Sequence, residues 1–119
     1  MKTNKKHFEL FKSECQKWIE ILKLDGWTIY FNHGKANKDA FATVNYNLVG
    51  RVATVFMSDN WDETGLENMN ESIKRVAKHE MLHVLLARMG GNASYRYATE
   101  DELTESEEEL VRKLEKIIK

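Results

Sequence analysis

His79-Glu80-Met81-Leu82-His83 sets two imidazoles four residues apart, with a carboxylate beside the first. On a helix, positions i and i+4 lie over one another on one face, so both rings can reach a single ion. Such a pair suits tetrahedral zinc (Zn2+), which takes a third protein ligand and keeps one position for water. A carboxylate at Glu80 is placed to accept a proton from that water, the part of a general base in hydrolysis. The plain alternative is a pair of core histidines satisfied by carboxylates without metal.

The third ligand is constrained by what the chain lacks. Its four histidines are His7, His33, His79 and His83, and none follows the motif. Leu86 and Met89 stand where a long three-histidine signature would place its glycine and last histidine. Cys15 is the single cysteine, so neither an internal disulfide nor a cysteine-based zinc site is available. A bound zinc therefore requires a carboxylate. Leu103, Leu110, Leu114 and Ile117 or Ile118 mark an apolar stripe on a last helix, widened by Val111. Glu107 falls within that stripe, where a carboxylate must be paired, protonated or metal-bound. Glu108 lies at its edge and also reaches inward. Glu100 sits at the fraying helix start, and Glu102, Glu105 and Glu109 point outward. Spacing favours Glu107 and leaves Glu108 open.

Other residues invite weaker readings. Tyr95 and Tyr97 lie between the two ligand helices, where a phenol can stabilise an oxyanion, and Arg96 can meet a carboxylate. Packing and solvent contact explain all three more simply. His7, in a polar terminus, and His33, in a turn, read as surface residues. Trp18, Trp27 and Trp61 read as core or edge packing.

These groups need elements to hold them. Phe8, Phe11, Cys15, Trp18, Ile19, Leu22 and Leu24 recur at helical spacing, and Asp25-Gly26 ends the run. Trp27 to Phe31 reads as a strand broken by Asn32-His33-Gly34. Ala40 to Tyr46 and Arg51 to Met57 read as a hairpin around Asn47-Leu48-Val49-Gly50. The Arg51 to Met57 run could pair an extended peptide along its edge. A loop from Ser58 to Gly65 leads to a helix capped by Asn70 or Ser72, running to about Met89 and stopped by Gly90-Gly91. From Met81 to Ala87 that helix is apolar nearly all round, so it is buried on most sides. Thr99 and Glu102 form a capping-box pattern for the last helix, ending near Ile118. The order predicts one α+β domain over residues 1–119: an N-terminal helix, a three-stranded mostly antiparallel sheet, a buried motif helix and a C-terminal glutamate-bearing helix.

Composition narrows the function classes. With 18 basic and 19 acidic residues the net charge is -1, so no overall field favours nucleic acid or an anionic membrane. The basic excess in residues 1–23 and the acidic run at residues 100–109 suit two oppositely charged terminal helices. No apolar stretch approaches transmembrane length, and the lysine-rich start is not followed by the apolar segment of a signal peptide. A cytoplasmic setting is expected, without nucleic-acid or membrane partners.

The motif, followed by Glu107-Glu108-Glu109-Leu110-Val111-Arg112-Lys113-Leu114, resembles the small single-domain zincins whose third ligand is a glutamate. These gluzincin-like metallopeptidases are common in bacterial and phage genomes. Trp27-Thr28-Ile29, Arg51-Val52-Ala53 and Trp61 share the likeness, which covers most of the chain. In that family the ligand glutamate precedes an apolar pair and a leucine; the matching residues are Leu110-Val111 and Leu114, which implies Glu108. The resemblance thus implies zinc on His79, His83 and Glu108 (Glu107 by spacing alone), Glu80 as general base, and a peptide or protein substrate. Two departures stand out. Larger relatives have a second domain forming part of the cleft, and these 119 residues leave no room for one. The related proteases of DNA–protein crosslink repair carry a third histidine and a basic or zinc-ribbon extension, neither of which is present. The alternative expectation is a zinc-stabilised or catalytically latent zincin-like module that binds a protein.

Overall fold

A computed structural model of the chain describes residues 2–35, 40–61, 68–93 and 99–118. In chain order the elements are α1 (Lys5–Ile21), β1 (Thr28–Gly34), β2 (Ala42–Asn47), β3 (Val52–Ser58), α2 (Met69–Ala93) and α3 (Glu100–Ile117), an α+β arrangement. No helix among the described residues is long and apolar enough to cross a membrane.

The apolar repeat of α1 turns Phe11, Cys15 and Trp18 into the core. Its start is a capping box in which His7 takes the place usual for glutamate: Asn4 Oδ1 accepts the His7 N–H (2.9 Å), and His7 Nδ1 accepts the Asn4 N–H (3.1 Å). The helix stops at Ile21, before the expected Asp25-Gly26. Lys23 adopts a left-handed φ of 58°. The Lys23 and Leu24 N–H groups close back onto the Glu20 and Ile19 carbonyls, at 3.3 and 2.9 Å, the Schellman pattern.

The sheet has the order β1-β3-β2, with β1 parallel and β2 antiparallel to β3. It is mixed rather than mostly antiparallel. The reason is visible in β3, whose Ala53, Val55 and Met57 are fully buried; the most apolar strand takes the centre. Both backbone edges of β3 are then paired, so the 51–57 run offers no free edge. Among the described residues the outer strands are β1 and β2, and β2 is the one that meets the motif helix. Asn32-His33-Gly34 does not break β1 but continues the parallel ladder to Ser58.

His33 is no surface residue. It stacks on Phe8 with ring centroids 5.0 Å apart, and its Nε2 lies 2.7 Å from Thr3 Oγ1. The Thr3 hydroxyl donates to the Ser58 carbonyl at 2.8 Å, so His33 Nε2–H is the donor to Thr3.

The motif helix, α2, lies between α1 and α3 and meets β2. Asn68, earlier than expected, accepts the Glu71 N–H at 3.2 Å as the helix start requires. Ile73, Ala77, Met81, Leu82, Val84 and Ala87 are buried, and Leu85 marks the one exposed line in its apolar run. Gly90-Gly91 does not end it; the helix continues to Ala93. Trp18 and Trp61 are buried in the core, and Trp27 packs at its border.

Thr99 caps α3 by accepting the Glu102 N–H at 3.1 Å, while its hydroxyl donates to the Glu102 carboxylate at 3.0 Å. The reciprocal bond of a full capping box is thus replaced by a side-chain one. At the other end Lys78 Nζ donates to the Glu115 and Ile118 carbonyls, at 2.6 and 2.8 Å. A cation on these carbonyls suits the negative end of the helix dipole and fastens α3 to α2. The inward face of α3 differs from the expected stripe. Val111 is fully buried, whereas Leu110 and Ile117 are exposed. Glu107 and Glu108 lie one turn before Val111, and Leu114 and Glu115 one turn after it.

Candidate metal centre

Helix α2 presents His79 and His83 on the face toward α3, as their spacing requires. Their Nε2 atoms approach to 3.2 Å. Glu108 joins them, with Oε1 2.6 Å from His83 Nε2 and Oε2 3.4 Å from His79 Nε2. One ligand atom from each of the three residues falls within 4.8 Å of the others, forming a group able to hold a metal ion.

The opposite edge of each imidazole is held by a different carboxylate. His79 Nδ1 lies 3.1 Å from Glu115 Oε1, and His83 Nδ1 lies 3.3 Å from Glu107 Oε2. Ionised carboxylates only accept, so a neutral ring that donates to its outer carboxylate carries its proton on Nδ1 and turns a bare Nε2 lone pair toward the other ring. In that form two imidazole nitrogens and a carboxylate converge as acceptors; with His83 protonated, its Nε2–H would instead donate to Glu108 at 2.6 Å. Acceptors facing acceptors repel unless a cation lies among them, and this donor set fits one.

Both candidate glutamates therefore reach the histidines, in different ways. Glu108 meets the converging Nε2 atoms; Glu107 meets the outer edge of His83. Glu115 was not anticipated from the sequence, although Glu107, Val111 and Glu115 at successive spacings of four are a legible signal that a buried valine has carboxylates on its own face. Glu107 approaches so closely that a Cβ on Gly90 would stand 3.0 Å from its Oε1. That buried oxygen has no hydrogen-bond partner among the described residues. Gly90 thus makes room for the carboxylate inside a continuous helix.

Glu80 follows His79 into the protein and is buried. Burial, then the charges of Glu108 and Glu115, raise its carboxyl from the usual 4.5 to about 8. It lines a cleft of about 340 Å³ together with Ala42, Thr43, Val44 and Tyr46 of β2 and His79, His83, Glu107 and Glu108. A neighbouring cleft of about 260 Å³ shares Ala42, His79 and Glu80, and adds Phe41, Arg75 and Glu115. The Tyr46 phenol is held protonated by burial and then by the Glu107 charge. Tyr95, Arg96 and Tyr97 lie outside the described residues, and Tyr46 is the phenol that lines the cleft. His7 and His33 lie in the helix cap and the Thr3–Phe8 packing, apart from this group.

No protein-family model matches the chain, and neither a curated protein nor a solved structure does.

Proposed function

We propose that the chain is a zinc-dependent peptidase of the minimal gluzincin-like kind, with His79, His83 and Glu108 as ligands and Glu80 as general base. The observation that carries this reading is the convergence of two imidazoles and a carboxylate beside a second, buried carboxylate, in a cleft walled by an edge strand. Two neutral imidazoles and one carboxylate form a donor set suited to zinc. When bound, zinc would supply Lewis acidity toward a scissile carbonyl and lower the pKa of water.

The chain's own groups account for the remaining work. Glu107 and Glu115 hold the imidazoles by Nδ1 and fix which nitrogen faces inward. The outer edge of β2 presents backbone N–H and C=O groups to an extended peptide beside the histidines. Glu80 in its ionised form, which a cation between the histidines would favour, takes a proton from the attacking water and returns it to the leaving amine. The protonated Tyr46 phenol donates a hydrogen bond toward developing negative charge in the cleft.

The test combines metal analysis with peptide cleavage. Purified chain should hold one equivalent of zinc, and Glu80→Gln should keep the metal while cleavage falls by about a hundredfold or more. Absence of stoichiometric zinc, or undiminished cleavage by Glu80→Gln, overturns the reading.

A second reading rests on the contact between α2 and α3. Among α3 side chains only Val111 is fully buried, so the histidine–glutamate contacts and Lys78 hold much of that helix in place. In this reading a metal staples α3 to α2 for a protein-binding module. A large loss of thermal stability on chelation, with no peptidase activity in the metal-loaded chain, favours it.

A further inference from the structure

A second cleft opens where the β2–β3 hairpin approaches α2. It encloses about 330 Å³ and is lined by Trp27, Leu48, Val49, Arg51 and Arg88. One aromatic contact joins it to the candidate metal centre. Tyr46, which lines the histidine cleft, meets Trp27 edge to face with centroids 6.4 Å apart. That contact sets the two clefts side by side, and Arg88 lies five residues beyond His83 on the same helix.

Its lining is suited to an anion. Among the described residues two guanidinium groups border it and no carboxylate does. Neither Arg51 nor Arg88 forms an ion pair among the described residues. Arg51 also holds a left-handed φ of 51°, a conformation disfavoured for any residue with a Cβ. Gly50, the residue beside it, lies outside that region. A glycine at position 51 would relieve the strain, yet the turn keeps an arginine there, at the mouth of the cleft.

We propose that this cleft is a carboxylate subsite of the peptide groove, in which Arg51 and Arg88 receive an acidic group of the substrate beside Trp27. The proposal rests on the reading of the neighbouring cleft as a peptide site. Planar guanidinium groups match a carboxylate with paired N–H donors, and the Trp27 and Leu48 side chains flank them. Charge also sets the register. Glu107, Glu108 and Glu115 crowd the histidine end and repel an acidic residue there, while the arginine end attracts it. An extended peptide with one acidic group is thereby aligned in a single position.

The test uses fluorescein-labelled octapeptides of a neutral alanine, glycine and phenylalanine background. One glutamate is moved through the positions, and each peptide is made with a free or an amidated C-terminus. Binding to the full chain carrying Glu80→Gln is read by anisotropy, independently of cleavage. One glutamate position, or the free C-terminus, should bind about tenfold tighter than the neutral amidated peptide. Arg51→Gly with Arg88→Gln should abolish that preference while thermal unfolding shows a folded chain, since glycine suits the backbone at position 51. Equal binding of acidic and neutral peptides, or a preference that survives the double substitution, overturns the proposal. Acidic preference without any cleavage by the wild-type chain supports the subsite and refutes the peptidase reading. Cleavage without acidic preference does the reverse.

Discussion

His33 and the His79–His83 pair show two ways of housing imidazoles in one small protein. Around His33 every proton has a destination: the ring donates to Thr3, and Thr3 donates to the Ser58 carbonyl. Around His79 and His83 the outward Nδ1 atoms meet Glu115 and Glu107, and the inward Nε2 atoms face each other and Glu108. The first arrangement is complete with protein atoms. The second needs a positive charge among its acceptors, from a proton or a metal ion. Residue type and partial burial are alike in the two regions, so the difference lies in the partners that the fold brings to each ring.

The sharpest way to break this contrast is to remove an inward acceptor. Glu108→Ala or His83→Ala should lower zinc affinity by roughly a thousandfold or more in competition with a chelating dye. His33→Ala should leave that affinity unchanged and lower stability by about 1–2 kcal/mol. A dependence of metal binding on His33 would erase the distinction.

Metal removal probes the same difference through stability. With free zinc at a thousand times its Kd, the folded chain should gain about 4 kcal/mol over the chelated one, read as a concentration-dependent rise in Tm. Glu108→Ala should be insensitive to chelator.

The outer carboxylates come next in size. Glu107→Gln and Glu115→Gln should each weaken zinc binding by about 10–100-fold, less than Glu108→Ala. A greater loss from Glu107→Gln than from Glu108→Gln would exchange the two assignments. Thr3→Val, the corresponding change beside His33, should not alter metal affinity.

Titration should separate the regions further. In the metal-free chain Glu80 keeps its proton to about pH 8, whereas the unfolded chain releases it near 4.5. The folded state therefore holds more protons between those values, and stability should fall as pH rises through that window. In Glu80→Gln this part of the decline should be absent from denaturant-unfolding curves.

Gly90→Ala is expected to give the smallest change, with opposite signs. Alanine should stabilise the metal-free helix by up to about 1 kcal/mol. Its methyl would press on Glu107 Oε1 and weaken zinc binding severalfold. Improved metal affinity would show that Glu107 does not depend on that space.

How far these features were legible depends on their range. The three helices, the hairpin and the inward histidines follow from local periodicity, and the structure bears them out with shifted ends. Helix ends failed where a residue adopts a conformation that its type does not advertise. Lys23 turns left-handed ahead of Gly26, and Gly90 stays helical because Glu107 occupies the space beside it. Strand order failed because pairing is non-local: nothing in the sequence between β1 and β2 states that β3 will insert between them. On α3 Glu107 and Glu108 face inward as their spacing indicates, but Leu110 and Ile117 were weighed as inward and Glu115 was not. Imidazoles reverse that weighting. Three glutamates face inward with Val111, while Leu110 and Ile117 face out.

The sequence by itself determined that two imidazoles share a helix face, that Glu80 stands beside the first, and that any further ligand must be a carboxylate. Those conclusions rest on helical geometry and on an inventory of residue types, both of which are local. Only the tertiary structure decided which glutamate meets which nitrogen, that β2 rather than β3 lies at the open edge, and that Arg51 and Arg88 border one cleft. Each of these depends on the approach of elements distant in the chain, where a rotation of α3 by a single residue would exchange Glu107 for Glu108.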